Sequence, residues 1–344
     1  MKDINSRIDK EKGVIYLTEK ERTAQLIKPI LRGRDIKRYS YEWAGLWIIN
    51  VHNGYTLKDS NLRHCERSEA IHNVDCHEAN ASRNDKLKIP PIDINEYPTL
   101  KAYFDKVANS AKQGKGKGFY DRDDKGITPY NLRNCAYLPE FAKPKIVYSE
   151  IVREPQFYLD NGEFKFGHFY AEATSFILSG NEGFESSLEY FLGILHSKLA
   201  TFAFKEFYAG GGLGESGYRY KKAFLEKLPI PKITQSQEAE FSKIVNAIIQ
   251  CKKSLENFNN EVYPHCNTIK THEVQTSKEL SGWGIDKGEG ATSPNSSPSP
   301  LSKEEQNATL KDLESRLDSM VFSLYGLNNE EIGLISNGGG QHIV

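Results

Sequence analysis

Between residues 144 and 208 the spacing of apolar residues changes from that of strands to that of a helix, and this change limits what the chain can fold into. The segments "PKIVYSEIV" (144–152) and "TSFIL" (174–178) are β-branched and aromatic runs of strand length. Between them, "QFYLDNGEFKF" places Asn161-Gly162 where a two-residue type I′ turn would join two short alternating strands. Directly afterwards, "SSLEYFLGILHSKLATFAFKEFY" (186–208) has apolar residues at 188, 191, 192, 195, 199 and 202, which predicts one helix. Earlier runs, "VIYLT" (14–18) and "GLWIINV" (45–51), read as further strands. The order is irregular, so the expected class is α/β of the α+β kind, a mixed sheet followed by helices.

Beyond Pro231 the pattern is helical throughout. Phe241, Ile244, Val245, Ile248, Leu255 and Val262 mark one amphipathic helix, and Leu310, Leu313, Leu317, Met320 and Leu324 step by three and four like a coiled-coil seam. These two predict an antiparallel helical pair. The separator between them, about 267–306, is rich in Ser, Pro and Gly and is expected to be a disordered loop. The boundaries that follow are a lead-in at 1–22, a body at 23–232, a helical region at 233–335 and a tail at 336–344.

With 344 residues, 38% of them hydrophobic, the chain is long enough to bury a sizeable core. No window approaches about 18 consecutive apolar residues, and the start "MKDINSRIDKEKG" is polar, so neither a membrane span nor a signal peptide is expected. Five cysteines without framework spacing fit a reducing compartment, and the expected location is the cytoplasm. The formal net charge of -1 conceals an asymmetry. Residues 23–38 hold five basic residues against one acidic, whereas 233–344 hold nine against fifteen, so a basic body precedes an acidic tail.

Two stretches suggest cofactor chemistry and neither has the right context. In "HCERSEAIHNVDCHE" (64–78) the His and Cys residues fall in adjacent pairs rather than at zinc-ligand spacing. The surrounding 62–85 resembles a translated mobile repeat element inserted in a bacterial reading frame. Gly212 to Gly217 is a literal G-x-G-x-x-G, but it leaves a helix, meets "YRYKK" and has no acidic residue about 20 positions on. A flexible loop that lets backbone approach a phosphate fits better. No G-x-S-x-G, H-E-x-x-H or G-x-x-x-x-G-K-[ST] is present, and the "[NDS]-P-P-[YF]" of adenine methyltransferases is missing, "IPPID" (89–93) being the nearest.

Five segments taken in order resemble a known family: "IKPILRGRDIKRYSYEWAGLWIIN", "INEYPTLKAYF", "TPYNLRNCAYLPEFAKPKIVYSEI", "YFLGILHSKLATFAFKEFYAGGGLGESGYRYKKAFLEKLPIP" and "LDSMVFSLYGLNNEEIGLI". Together they resemble the TaqI-like C-terminal specificity domain of type IIG restriction-modification enzymes and related adenine-N6 DNA methyltransferases, from about residue 23 to 335. The resemblance implies a target-recognition domain at 23–232, interrupted by the insertion at 62–85, that grips double-stranded DNA opposite a methyltransferase domain. It also implies nuclease and S-adenosylmethionine domains upstream of this chain, which makes the chain a truncated or split gene product. S-adenosylmethionine and Mg would belong to those domains, with no cofactor and no catalytic residue expected here. "LHSKLATFAF" with "KLPIP" and a long helix also resembles a type I specificity subunit, although the two repeats such a subunit needs are not found. A non-DNA assembly protein would rely on the helical tail instead.

On that resemblance the basic clusters acquire a role. Arg32, Arg34, Lys37 and Arg38, then Lys143 and Lys145, then Lys221 and Lys222, are the expected phosphate contacts, supplying affinity through counterion release. Arg219, between Tyr218 and Tyr220, is the expected base-edge or stacking contact. Tyr130 and Arg133 in "TPYNLRNC" complete the expected DNA-binding set, with a packed turn as the competing reading. For Arg34 the competing role is an ion pair with Asp35, and Trp43 and Trp47 are expected in the core.

Overall fold

The fold is described from a computed structural model in which residues 7–9, 14–57, 87–111, 118–180, 184, 186–208, 218–220, 222–262 and 302–337 are placed. The mobile-element segment 62–85, the glycine run 212–217, Lys221 and the separator up to residue 301 lie outside the described residues.

The chain opens with an antiparallel pair, β1 (Arg7–Asp9) and β2 (Val14–Tyr16), followed by α1 (Glu19–Leu26). Thr18 and Glu21 close a reciprocal capping box that fixes where α1 begins. The chain then enters β3 (Ile27–Leu31), which pairs antiparallel with β4 (Trp47–Ile49). A second antiparallel pair, β5 (Tyr55–Leu57) and β6 (Leu87–Ile89), leads to α2 (Pro98–Ala111), which starts on a proline whose missing N–H costs nothing at that position. Leu26, Val51, Ile94, Tyr97, Leu100 and Phe104 give this part a small core of its own.

The centre is a three-stranded antiparallel sheet. β7 (Lys145–Ser149) runs between β9 (Phe157–Asp160) and β11 (Ser175–Leu178), with the two-residue β8 (Ile151–Val152) after β7. β10 (Tyr170–Ala171) leaves this sheet to pair parallel with β3, which makes the architecture mixed. Side chains alternate across the sheet. Ile146, Tyr148, Phe157 and Leu159 face one core, while Val147 and Tyr158 face the other with Leu31, Ile36 and Phe169.

The larger core lies on the first face. Against it pack α3 (Leu188–His196) and α4 (Lys198–Ala203), which runs on into a π-helical turn at Phe204–Tyr208. The single helix expected over 186–208 is therefore broken. Ser197 ends α3 and caps α4, its hydroxyl accepting from Ala200 N at 3.1 Å and donating to Ile194 O at 2.7 Å. After β12 (Tyr218–Arg219) and the short α5 (Lys222–Leu225) come α6 (Gln235–Val262), α7 (Lys303–Leu324) and α8 (Asn329–Ser336). Cys251 on α6 donates to Gln306 O at the start of α7, and Gly193 on α3 faces both Val245 and Leu317, so α6 and α7 run antiparallel. The expected α+β class with a C-terminal antiparallel helical pair is what the chain adopts. Phe241, Val245, Ile248, Leu317 and Val321 share one buried cluster with the sheet residues. Among the described residues no helix is long and apolar enough to cross a membrane.

The expected hairpin at Asn161-Gly162 does not form. Gly162 has φ +80°, but Asn161 stays out of the left-handed region, and β9 pairs with β7 rather than with a strand across this turn. The Asp160 carboxylate organises a loop instead, accepting from Gly162 N at 3.2 Å, Phe169 N at 2.8 Å and Lys145 Nζ at 2.5 Å. That loop turns Phe164 and Phe169 inward as a stacked pair with ring centroids 4.5 Å apart.

Candidate nucleic-acid interface

The turn after β3 is built around a buried carboxylate. Asp35 accepts from Arg32 N at 2.9 Å and from the Arg32 guanidinium at 2.6 to 3.1 Å. Burial alone would raise the Asp35 carboxyl; the Arg32 hydrogen bonds and charge outweigh it and hold it below the ordinary value. The partner of Asp35 is thus Arg32, and Arg34 projects outward, exposed. This corrects the expected pairing of Arg34 with Asp35. Gly33 sits where only glycine fits. Its N–H donates to Thr174 Oγ1 at 2.9 Å, and a Cβ there would lie 2.5 Å from Thr174 O and 2.8 Å from Ser149 Oγ. The turn therefore presses on the Ser149 end of β7 and fixes Arg34 beside it.

The second basic segment arrives at the same end of the sheet. β12 pairs with β8, Arg219 opposite Ile151 and Tyr218 opposite Val152, and Tyr220 N donates to Glu150 O at 2.7 Å. Glu150 N in turn donates to Thr174 O, the oxygen that Gly33 approaches. Arg219 Nε lies 3.6 Å from Glu150 Oε1, and it is buried without a hydrogen-bond partner although the side chain as a whole is 41% exposed. Lys222, exposed at the start of α5, follows two residues after Tyr220, and Arg153 is exposed just past β8. The segments that carry Arg34 and Arg219, about 185 residues apart in the chain, thus attach to the same end of the sheet through Thr174 and Glu150. Tyr220 itself is core: it is buried and stacks on Phe204 at 4.1 Å, which corrects its placement among DNA contacts. The Tyr218 side chain and Lys221 lie outside the described residues.

Other candidates are bound up within the protein. Arg38 donates to Glu314 Oε1 at 2.9 Å, His196 Nδ1 at 3.1 Å and His196 O at 3.1 Å. Burial, then the Arg38 charge, keeps the His196 imidazole neutral, so Nδ1 accepts from Arg38 while Nε2–H donates to Phe157 O at 2.9 Å. Arg38 is therefore a brace between the β3 turn, α3 and α7. Arg38→Ala is expected to lower stability by about 2–3 kcal/mol, the scale of lost charge-assisted hydrogen bonds. Chemical denaturation would measure this, with the salt dependence of any DNA binding unchanged.

Lys37 is half-buried and pairs with Glu42 at 3.3 Å. Lys143 pairs with Glu140 at 2.8 Å, and Lys145 is wholly buried against Asp160. Both Lys143 and Lys145 stand at the opposite end of β7 from Ser149, and burial removes Lys145 from any phosphate. Tyr130 belongs to the small N-terminal core. Its hydroxyl and that of Tyr120 donate to Asp105 at 2.6 and 2.5 Å, and with Lys101 they pull the Asp105 carboxyl down to about 2. Arg133 is exposed in the same lobe.

Trp47 departs from expectation in the other direction. It is 41% exposed and stands edge-on to Trp43 and Phe166, at 5.0 and 4.8 Å, because β4 lies at the edge of its sheet. Glu150, which faces Arg219 and links β12 to Thr174 through its backbone, was not singled out from sequence, where it reads as one more strand-end carboxylate. Among the described residues no group of three or more His, Cys, Asp or Glu is placed to hold a metal ion.

The family model of the TaqI-like C-terminal specificity domain matches residues 28–230, which contain the Gly33 turn, the central sheet, β12 and α5. No curated protein matches the chain. With more than half of its length matched, including the Gly33 turn, the central sheet and β12, the chain belongs to the TaqI-like C-terminal specificity domain family.

Proposed function

We propose that this chain is the target-recognition part of a restriction-modification enzyme, binding double-stranded DNA sequence-specifically while a methyltransferase or nuclease domain or subunit supplies the chemistry. The observation that carries this reading is that the Gly33 turn, which carries Arg34, and β12, which carries Arg219, both join the Ser149–Val152 end of the central sheet, inside the span that matches a specificity domain. Exposed cations on a rigid sheet end are suited to phosphate oxygens, and a partly exposed arginine such as Arg219 is suited to a base edge, where guanine offers O6 and N7. The partly exposed Glu150 restrains Arg219 in the absence of DNA and adds a local negative charge that opposes indiscriminate binding. S-adenosylmethionine and Mg would be held by the catalytic partner.

The test is binding of the purified chain to a randomised duplex pool, followed by measurement of the selected site against scrambled DNA at several salt concentrations. Enrichment of one site, with affinity falling as salt rises, is the expected result. No methyl transfer is expected from the chain alone with S-adenosylmethionine, and methylation should appear only with a catalytic partner. Methylation by the chain alone, or a pool that shows no enrichment, would contradict the proposal.

A further inference from the structure

β8 and β12 pair with each other as a two-stranded antiparallel ribbon, and its register sorts the side chains by face. Tyr220 N donates to Glu150 O, so the Glu150–Tyr220 pair carries the ladder hydrogen bond. The next pair along, Arg219 opposite Ile151, is then a non-hydrogen-bonded one, in which facing side chains approach most closely. Val152 and Tyr220 are buried in the larger core. Alternation therefore sends Ile151 and Arg219 together to the other face. Both reach the surface, Ile151 at 45% exposed and the Arg219 side chain at 41%.

A single exposed isoleucine is ordinary on a protein surface, and two features set this one apart. The first is its anchoring. Ser149 Oγ donates to Ile151 O at 3.3 Å, and the same hydroxyl lies 2.8 Å from where a Cβ on Gly33 would stand, so the turn that carries Arg34 packs against the residue that holds Ile151. The second is its company. Arg34, Arg153 and Lys222 are exposed on the segments that adjoin the ribbon, which places an apolar side chain among cations on a fixed backbone.

We propose that Ile151 is a specificity residue that contacts the 5-methyl group of a thymine beside the base met by Arg219. This contact presupposes the DNA recognition proposed above and places the ribbon in the major groove. That groove is about 12 Å wide and admits a two-stranded ribbon, whose strands lie about 4.8 Å apart. The thymine methyl is the apolar group its base edges offer, and an aliphatic side chain is the matching partner, as arginine is for guanine O6 and N7. The minor groove displays no methyl group, so a methyl contact also fixes which groove is entered. Cβ atoms of a non-hydrogen-bonded pair stand about 4.5–5.5 Å apart, against about 3.4 Å between successive bases, so the two contacts fall within about two base pairs of each other.

The test starts from the site selected out of the randomised duplex pool. Each thymine of that site is replaced in turn by deoxyuridine, which removes the methyl group and keeps every hydrogen-bonding group of the pair, and the duplexes are titrated with the wild-type chain, Ile151→Ala and Arg219→Ala. At one thymine, within about two base pairs of the guanine whose preference is lost in Arg219→Ala, deoxyuridine should weaken wild-type binding about fourfold, roughly the worth of one buried methyl group. Ile151→Ala should bind the thymine and deoxyuridine duplexes equally, keep the guanine preference and melt close to wild type. The deoxyuridine series on the wild-type chain decides the matter independently of how the variant folds. A selected site with no thymine at that distance, deoxyuridine without effect at every position, or a thymine preference that a well-folded Ile151→Ala keeps in full overturns the proposal and leaves DNA recognition standing. A pool without enrichment removes both.

Discussion

Lys145→Ala is expected to lower the stability of the chain by about 3–5 kcal/mol, the cost of leaving one member of a buried ion pair alone. Both Lys145 and Asp160 are 0% exposed, at 2.5 Å from each other. The ammonium also donates to Phe141 O at 2.7 Å, and the carboxylate also accepts from the backbone of Gly162 and Phe169 and contacts His168 Nδ1 at 3.2 Å. Asp160→Ala should therefore cost more than Lys145→Ala, since it also orphans backbone donors that shape the loop after β9. Denaturant unfolding of the two variants measures both costs. Equal, small losses for the two would show that the loop is not built on this carboxylate.

The same carboxylate gives the protein an acid sensitivity with a defined sign. Burial by itself would raise the Asp160 carboxyl, but hydrogen bonds from His168 and Lys145, with the Lys145 charge, hold it below its ordinary value. A carboxyl whose folded value is depressed contributes stability that is fully present above its unfolded value, about 3.9, and is lost as pH falls from there through the lower folded value. Wild type should thus lose stability below about pH 4 more steeply than Asp160→Asn, in which the titration is absent.

What the sequence conveyed and what it did not divide along the range of the interactions. β7, β11, α6 and α7 follow from periodicity, because the alternation of Ile146, Val147 and Tyr148 or the spacing of Leu310, Leu317 and Leu324 is written in neighbouring residues. The loop after β9 does not, because Asn161-Gly162 carries a hairpin signal that three hydrogen bonds to Asp160 override. The charges were hardest to place. Arg32 and Arg34 are equivalent in composition, and only the fold shows that Asp35 takes the first and leaves the second exposed. Arg38 finds its carboxylate 276 residues away, on a helix whose partner was legible but whose docking on the sheet was not. The candidate site was visible as two separate basic segments, and nothing local could say that Thr174 and Glu150 would join them.

The join at Glu150 yields the largest expected effect on function. If Arg34 and Lys222 contact the DNA backbone, replacing both by Ala should weaken binding to every sequence alike and reduce the log–log salt slope by roughly 0.9 for each contact removed, about 1.8 in total. Arg219→Ala should instead act on the preferred site, costing about 1–3 kcal/mol there with little change on scrambled DNA, as a base-edge contact does. Glu150→Gln separates this from a structural role. The ion pair at 3.6 Å is too long for a good hydrogen bond and lies at a partly exposed position, so its loss should cost well under about 1 kcal/mol of stability. Removal of the negative charge should at the same time raise affinity for scrambled DNA, which lowers discrimination. A structural pair predicts the reverse: both Arg219→Ala and Glu150→Gln would melt early, and neither would alter discrimination. Melting temperature, salt slope and the ratio of specific to scrambled binding on the same three proteins decide between the two. Unchanged slope and unchanged discrimination in well-folded variants would move the DNA-facing surface away from this end of the sheet.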